Sequence, residues 1–332
     1  MTVSAYFARP SDTAIAARDP AFIESLACAA ARMRGIRVAL RPESADIVLI
    51  DERYQYRTWH YADELAQSDF VRRHADRICV INHDSYARAF LPGLYASLEI
   101  SRPSFVPAIP IPYKRDLWQV PVSPVFDFHP VSLFAFRGTF HTHPVRRRVC
   151  RVLLRTGSGT CEELRKAFHD HDEHDQTRYI AEIRGAYFSI CPRGLSPSTY
   201  RLYESMQLGR CPVVISDDWR PPEGPDWTKF AIFVKESEIR ALPKLLAQEI
   251  GRAERYGQLA RSAWEAFFSW PRRYNYFLEQ ALALTQTGSL RQGFEDLNEI
   301  WRARQFRRRY GWTIPGRAKQ LARRKLSALV QR

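Results

Sequence analysis

Two stretches of alternating strand-like and helix-like segments flank a proline-dense interval, and no other feature constrains the fold as much. In the first stretch, residues 2–8 (TVSAYFA) read as a strand. Phe22, Ile23, Leu26, Ala27, Ala30 and Met33 then recur at helical spacing. Ile36–Leu40 and Asp46–Ile50 are short and apolar, 61–75 is helical, and Arg77–Asn82 is again strand-like. Pro103, Pro107, Pro110, Pro112, Pro121, Pro124 and Pro130 follow within 28 residues. Proline at that density fixes φ and removes amide donors, which suits an interdomain linker. The alternation then resumes: strand 131–136, helices at 144–154 and 176–184, strand 187–191, helix 198–208, strands 212–216 and 231–234, then three or four helices. Such βαβ order predicts mainly parallel sheets with helices on both faces. The expected fold class is α/β: two Rossmann-like domains facing across a cleft, with C-terminal helices. The expected divisions are 1–125, 126–290 and a basic helical tail, 291–332. A chain of 332 residues is long enough for two separate cores.

Composition removes several classes. With 45% hydrophobic and 26% charged residues the chain is neither disordered nor fibrous. No apolar run reaches the roughly 18 to 20 residues of a membrane span, and MTVSAYFARPSD lacks the pattern of a secretory signal. The expected location is the cytoplasm. Six scattered cysteines without a CxxC pair point to neither a zinc site nor a redox motif. Charge is uneven. Of 50 basic residues, eleven lie in 302–332, where there is no acid, which leaves 39 basic against 36 acidic groups elsewhere. A body so nearly balanced argues against nucleic acid as a partner. In the tail, Ala318, Leu321, Ala322, Leu326 and Leu329 form an apolar stripe among Arg and Lys. That pattern fits peripheral binding to an anionic membrane, here its inner face.

The segment 187–219, YFSICPRGLSPSTYRLYESMQLGRCPVVISDDW, is the densest in chemistry. A strand ends at Cys191, a Pro-Arg-Gly-Leu-Ser-Pro loop follows, and Ser198 or Thr199 can cap a helix that carries Arg201 and Glu204 on one face. A loop feeding a helix N-terminus presents free amides and a positive dipole end, to which an arginine adds a bidentate contact. Those groups suit a phosphate, and Glu204 could accept ribose hydroxyls. Asp217 and Asp218 end the next strand. Two histidine-bearing stretches read as loops: 169–175 (HDHDEHD), which lacks a regular i, i+4 pair, and 141–143, where His141 and His143 flank Thr142, with contact to a diphosphate or an acceptor as the alternative for these two.

These residues resemble the exostosin family of glycosyltransferases, family 47. The likeness rests on Cys191, Pro192, Arg193, Gly194, Ser198, Arg201, Glu204, Gly209, Pro212, Asp217, Asp218, Asp226 and Trp227. Phe136-Arg137-Gly138 before a basic run (Arg146, Arg147, Arg148), Asn82-His83-Asp84 and Ile109-Pro110-Ile111-Pro112 extend it more loosely. The resemblance implies a GT-B fold and inverting transfer of a sugar from a nucleoside-diphosphate sugar, most often a UDP-sugar, with no metal cofactor. It implies a donor site of Arg137, Gly138, Arg193, Gly194, Ser198, Thr199, Arg201, Glu204, Asp217 and Asp218, with Glu204 on the ribose. For the base that activates the acceptor, Asp84 ranks first, His83 second and the Asp51/Glu52 pair third. The acceptor is expected to be a glycan or a lipid-linked glycan. Two alternatives stay open: a fucosyltransferase-like enzyme using a GDP-sugar, and a non-catalytic glycan- or membrane-binding protein of the same fold.

Overall fold

The computed structural model describes residues 2–53, 61–85, 88–102, 104–114, 126–164, 172–270 and 272–309. His169, Asp170, His171 and the tail from 310 onward lie outside the described residues, as do Pro103, Pro121 and Pro124. The chain divides into two compact units. Unit 1 holds residues up to Tyr95, Arg102–Ile109 and the chain from Phe277, and unit 2 holds Ala96–Ser101 and Pro110–Tyr276.

Unit 1 is built on six strands: β1 (Val3–Ala8), β2 (Ile36–Val38), β3 (Ile47–Asp51), β4 (Ile78–Asn82), β5 (Gly93–Tyr95) and β6 (Ala108–Pro110). Their order is β2-β1-β3-β4-β5-β6, and β1 through β5 pair in parallel. Strands β3 and β4 are buried at every position. Such complete burial explains their apolar runs, which give way only at the carboxyl ends, to Asp51 and Asn82. Helix α1 (Ala21–Ala30) buries Phe22, Ile23, Leu26 and Ala30. The helical pattern of 61–75 resolves into α2 (Tyr61–Gln67) and α3 (Asp69–His74). The break falls at Ser68, which takes an extended conformation and accepts the Val71 amide with its hydroxyl. A serine competes with the helix for backbone donors in this way.

Unit 2 is a five-stranded sheet of β7 (Ser132–Gly138), β8 (Gly159–Glu163), β9 (Ala186–Pro192), β10 (Cys211–Ile215) and β11 (Ile232–Phe233). All its pairings are parallel, in the order β11-β10-β9-β7-β8. Its helices are α4 (Pro144–Leu153), α5 (Glu173–Arg184), α6 (Tyr200–Gln207), α7 (Leu242–Glu249) and α8 (Ala253–Ala263). Helix α4 has Pro144 in its first turn and buries Val145, Val149, Cys150 and Leu153 at helical spacing. That row packs against Phe134, Phe136, Phe188, Ile190, Val213 and Ile215 of the sheet in one core. Helix α6 stops at Gly209, whose φ of 64° is left-handed and whose amide donates to the Met206 carbonyl.

Helix α9 (Arg272–Gln286) carries the chain back into unit 1 at Phe277, and α10 (Phe294–Arg302) and α11 (Arg304–Arg309) end the described chain there. Trp301 Nε1 donates to the Phe90 carbonyl at 2.8 Å, and the fully buried Phe306 packs on Phe90 and Phe105. The described part of the expected tail, 291–309, therefore packs into unit 1 rather than standing apart as a tail of 291–332. Two units, each a parallel sheet carrying helices, are the α/β make-up of the GT-B class. Among the described residues no helix is long and apolar enough to cross a membrane.

Candidate functional site

In an open parallel sheet, ligands gather beyond the carboxyl ends of the strands, where the winding direction reverses. Unit 2 reverses between β7 and β9, since β8 lies to one side of β7 and β9 to the other. Gly138 ends β7, and the Arg193–Thr199 loop leaves β9. The phosphate-type loop and the FRG segment, far apart in sequence, meet at this switch point.

Two guanidiniums are drawn into the protein there. Arg201 is 7% exposed and lies between the rings of Phe136 and Tyr179, 4.8 and 4.6 Å from their centroids. Arg146 comes from the first turn of α4 and donates to the Arg193 and Thr139 carbonyls, both at 3.0 Å. Burial and the neighbouring Arg201 charge push Arg146 down to about 10. Among the described residues no carboxylate lies within ion-pair distance of either arginine. Two glycines make the space. A Cβ at Gly138 would sit 3.5 Å from Arg201 Nη2 and 3.6 Å from Arg146 Nη1. A Cβ at Gly194 would sit 2.7 Å from Arg146 Nη2. Two like charges largely removed from water without an anion are costly, and an arriving anion offsets that cost. Chemically this is an anion site with forked donors.

The structure places the other expected donor residues variously. Glu204 is fully buried, and its carboxylate accepts the Tyr179 hydroxyl at 2.5 Å. With no surface to offer a ribose, it acts here through Tyr179, whose ring backs Arg201. Arg137 turns away from the site. Its Nη1 donates to Glu162 and Glu182 at 2.6 and 2.9 Å, and Asp175 lies 3.6 Å from Nη2. Asp218 accepts the amide and hydroxyl of Ser101 at 2.6 and 2.9 Å, and Asp217 accepts the Glu236 amide at 2.8 Å. Arg193 stands 3.9 to 4.0 Å from Glu99, Asp218 and Glu236. In this structure Arg137, Asp217 and Asp218 hold loops and helices together. Each is satisfied by a partner distant in sequence. Thr199 is the N-cap of α6 but makes no side-chain cap bond. The buried Ser198 donates its amide to Ser196 Oγ at 3.1 Å. Sequence reasoning passed over Arg146. It is one of three consecutive arginines, and only the register of α4 against the core decides that Arg146 is drawn in while Arg147 and Arg148 stay exposed.

In unit 1, Asn82-His83-Asp84 leaves the carboxyl end of β4, and all three are buried. Glu52 accepts hydrogen bonds from the Tyr61 hydroxyl and Asn82 Nδ2, both at 2.5 Å, while Asn82 Oδ1 accepts the Asp84 amide. The glutamate is thus a brace for the turn carrying His83 and Asp84. The His83 ring packs edge-on to Phe22 and tilted to Phe277. Asp172, His174 and Asp175 bring their ligand atoms within 4.8 Å of one another at the start of α5. Asp172 caps that helix through the Asp175 amide, so this part of the histidine-rich stretch is helical rather than loop.

Comparisons with known proteins find relatives over the stretch that holds the anion site. Residues 102–248 match the Exostosin GT47 domain. The chain is 34% identical over 101 residues to "Exostosin-1 homolog" of Caenorhabditis elegans, covering 30% of this chain and 26% of that protein. It is 29% identical over 168 residues to a probable glucuronoxylan glucuronosyltransferase of Arabidopsis thaliana, covering 50% and 32%. With "Probable glucuronosyltransferase 47 A" of Physcomitrium patens it shares 37% over 76 residues, covering 22% and 17%. The matched stretch spans a third or less of each of these relatives. Both arginines of the anion site, both glycines beside them and Glu204 fall within the residues 102–248 that are similar to the exostosin GT47 domain.

Proposed function

We propose that this chain is a glycosyltransferase that moves a sugar from a nucleoside-diphosphate sugar, a UDP-sugar in the first instance, to a glycan or lipid-linked glycan acceptor with inversion. The observation that carries the reading is the Arg146–Arg201 pair, seated at the switch point of unit 2 with no carboxylate within ion-pair distance of either among the described residues. The names of the exostosin and glucuronosyltransferase relatives support the reaction class.

In such a transfer the acceptor hydroxyl attacks the anomeric carbon as the bond to the diphosphate breaks. Positive charge spreads over the sugar ring, as in glycoside hydrolysis, and negative charge grows on the leaving diphosphate. Guanidiniums already in place stabilise that growing charge without reorganising. Arg201 is fixed by two aromatic rings and Arg146 by two carbonyls, so both are pre-organised. For the base, Asp84 is the first choice and His83 the second, from the turn that Glu52 and Asn82 brace.

The test is titration of UDP, GDP, UDP-glucose and GDP-mannose into the wild type and into Arg201→Ala, with release of free nucleotide from a panel of donors. Binding of a uridine nucleotide that the variant loses is the expected result. Preference for GDP would move the reading to the fucosyltransferase-like alternative. No nucleotide binding by the wild type would overturn the donor site.

A further inference from the structure

His143 is the N-cap of α4, three residues before Arg146, and its ring Nδ1 accepts the Val145 amide N–H at 3.3 Å. A ring nitrogen that accepts carries no proton, so the neutral imidazole keeps its proton on Nε2. The charged groups around the ring are Arg146 and Arg148 of its own helix, Arg193 from the loop after β9 and Glu236 from the segment after β11. Burial and the arginines hold the imidazole below its ordinary pKa, against Glu236. The half-buried His143 thus stands at the start of the helix that brings the Arg146 guanidinium to the anion site. The adjoining Thr142 hydroxyl and the Arg146 guanidinium both crowd the same Gly194 position.

We propose that His143 is a further ligand of this anion site, donating Nε2–H to an oxygen of the bound diphosphate. The inference rests on the donor-diphosphate reading above. A neutral donor suits the place. It adds a hydrogen bond without another positive charge among guanidiniums that already repel one another. The cap bond and the anion bond use opposite ring nitrogens, so one side chain fixes the start of α4 and meets the ligand at once.

Two substitutions separate those duties. Asn is a strong N-cap residue, and its side-chain oxygen can replace Nδ1 toward Val145, but it has no group at the position of Nε2. His143→Asn should keep the wild-type melting temperature and weaken UDP-glucose binding by about tenfold or more, the loss expected for a hydrogen bond to a charged group. His143→Gln places an amide N–H near the Nε2 position while giving up the cap. It should melt lower and bind UDP-glucose more tightly than His143→Asn does. UDP-glucose is the probe because its diphosphate does not titrate near neutrality. An Asn variant that binds like the wild type, or a Gln variant that binds no better than Asn, would show that His143 serves the helix alone. If the wild type binds neither UDP-glucose nor GDP-mannose, the donor site itself falls, and this assignment with it.

Discussion

Arg201 and Arg146 are held in place by aromatic rings and carbonyls, which orient the guanidiniums without neutralising them, and this sets the consequences of changing them. Arg201→Ala should cut turnover by roughly 100- to 1,000-fold, or about 2.7–4 kcal/mol of lost transition-state stabilisation. Steady-state rates read this directly, and far-ultraviolet circular dichroism should be unchanged. Near-normal turnover would remove Arg201 from the chemistry. Tyr179→Phe takes one hydrogen bond from the buried Glu204 carboxylate, so it should lower stability by about 1.5–3 kcal/mol in urea unfolding. An unchanged midpoint would mean that Glu204 does not depend on Tyr179. His143 and His74 both sit below the ordinary imidazole pKa through burial. Below about pH 6.5 the unfolded chain takes up protons that the folded state refuses, so both residues make stability fall with acid. His143→Asn should flatten part of that loss between about pH 6.5 and 5.

Among the elements, the loop from Arg193 to Thr199 and the start of α4 are coupled through Gly194. Gly194→Ala would put a methyl group where Arg146 Nη2 lies. A guanidinium at the end of a long side chain can move aside, so the fold should survive while Arg146 leaves its position. The expected outcome is weaker nucleotide binding, by about tenfold or more, with a melting temperature near that of the wild type. Wild-type affinity would separate Arg146 from the site. The start of α5 bears on metal dependence. Activity is expected to persist in EDTA, because guanidiniums supply the positive charge that a cation would otherwise bring. Loss on chelation that Mn²⁺ restores would bring Asp172, His174 and Asp175 into the mechanism.

Over the full chain, the charge partition and the packing of α11 give different truncation limits. Trp301 is anchored to Phe90, and Phe306 beyond it is fully buried. Deleting 302–332 removes Phe306 from the core of unit 1 and should cost about 3–5 kcal/mol. Deleting 310–332 leaves every described contact in place and should leave the melting temperature unchanged, yet it removes six of the eleven basic residues of 302–332. If the tail meets an anionic surface, with about 1 kcal/mol per basic residue, the shorter protein should release from phosphatidylserine vesicles. Full-length binding should fade as salt rises. Equal vesicle binding by both forms would place membrane contact elsewhere in the chain.

Local elements and the neighbourhood of the chemistry follow from the order of the residues. Apolar runs such as Ile47–Ile50 and CPVVI read as buried strands, and the loop before Tyr200-Arg201 carries its residue types in order. Strand β8 escaped that reading because Gly-Thr-Cys-Glu-Glu has no apolar period. It exists because β7 offers it an edge, with Phe136 opposite Cys161. Which arginine enters the site is a matter of packing. Arg137 finds Glu162 and Glu182, Arg146 finds carbonyls, and Glu204 disappears behind Tyr179. Packing also makes α10 and α11 complete unit 1 rather than begin a tail. Periodicity records which face of an element is buried. The partner that a long charged side chain reaches lies tens of residues away, and only the folded chain brings the two together.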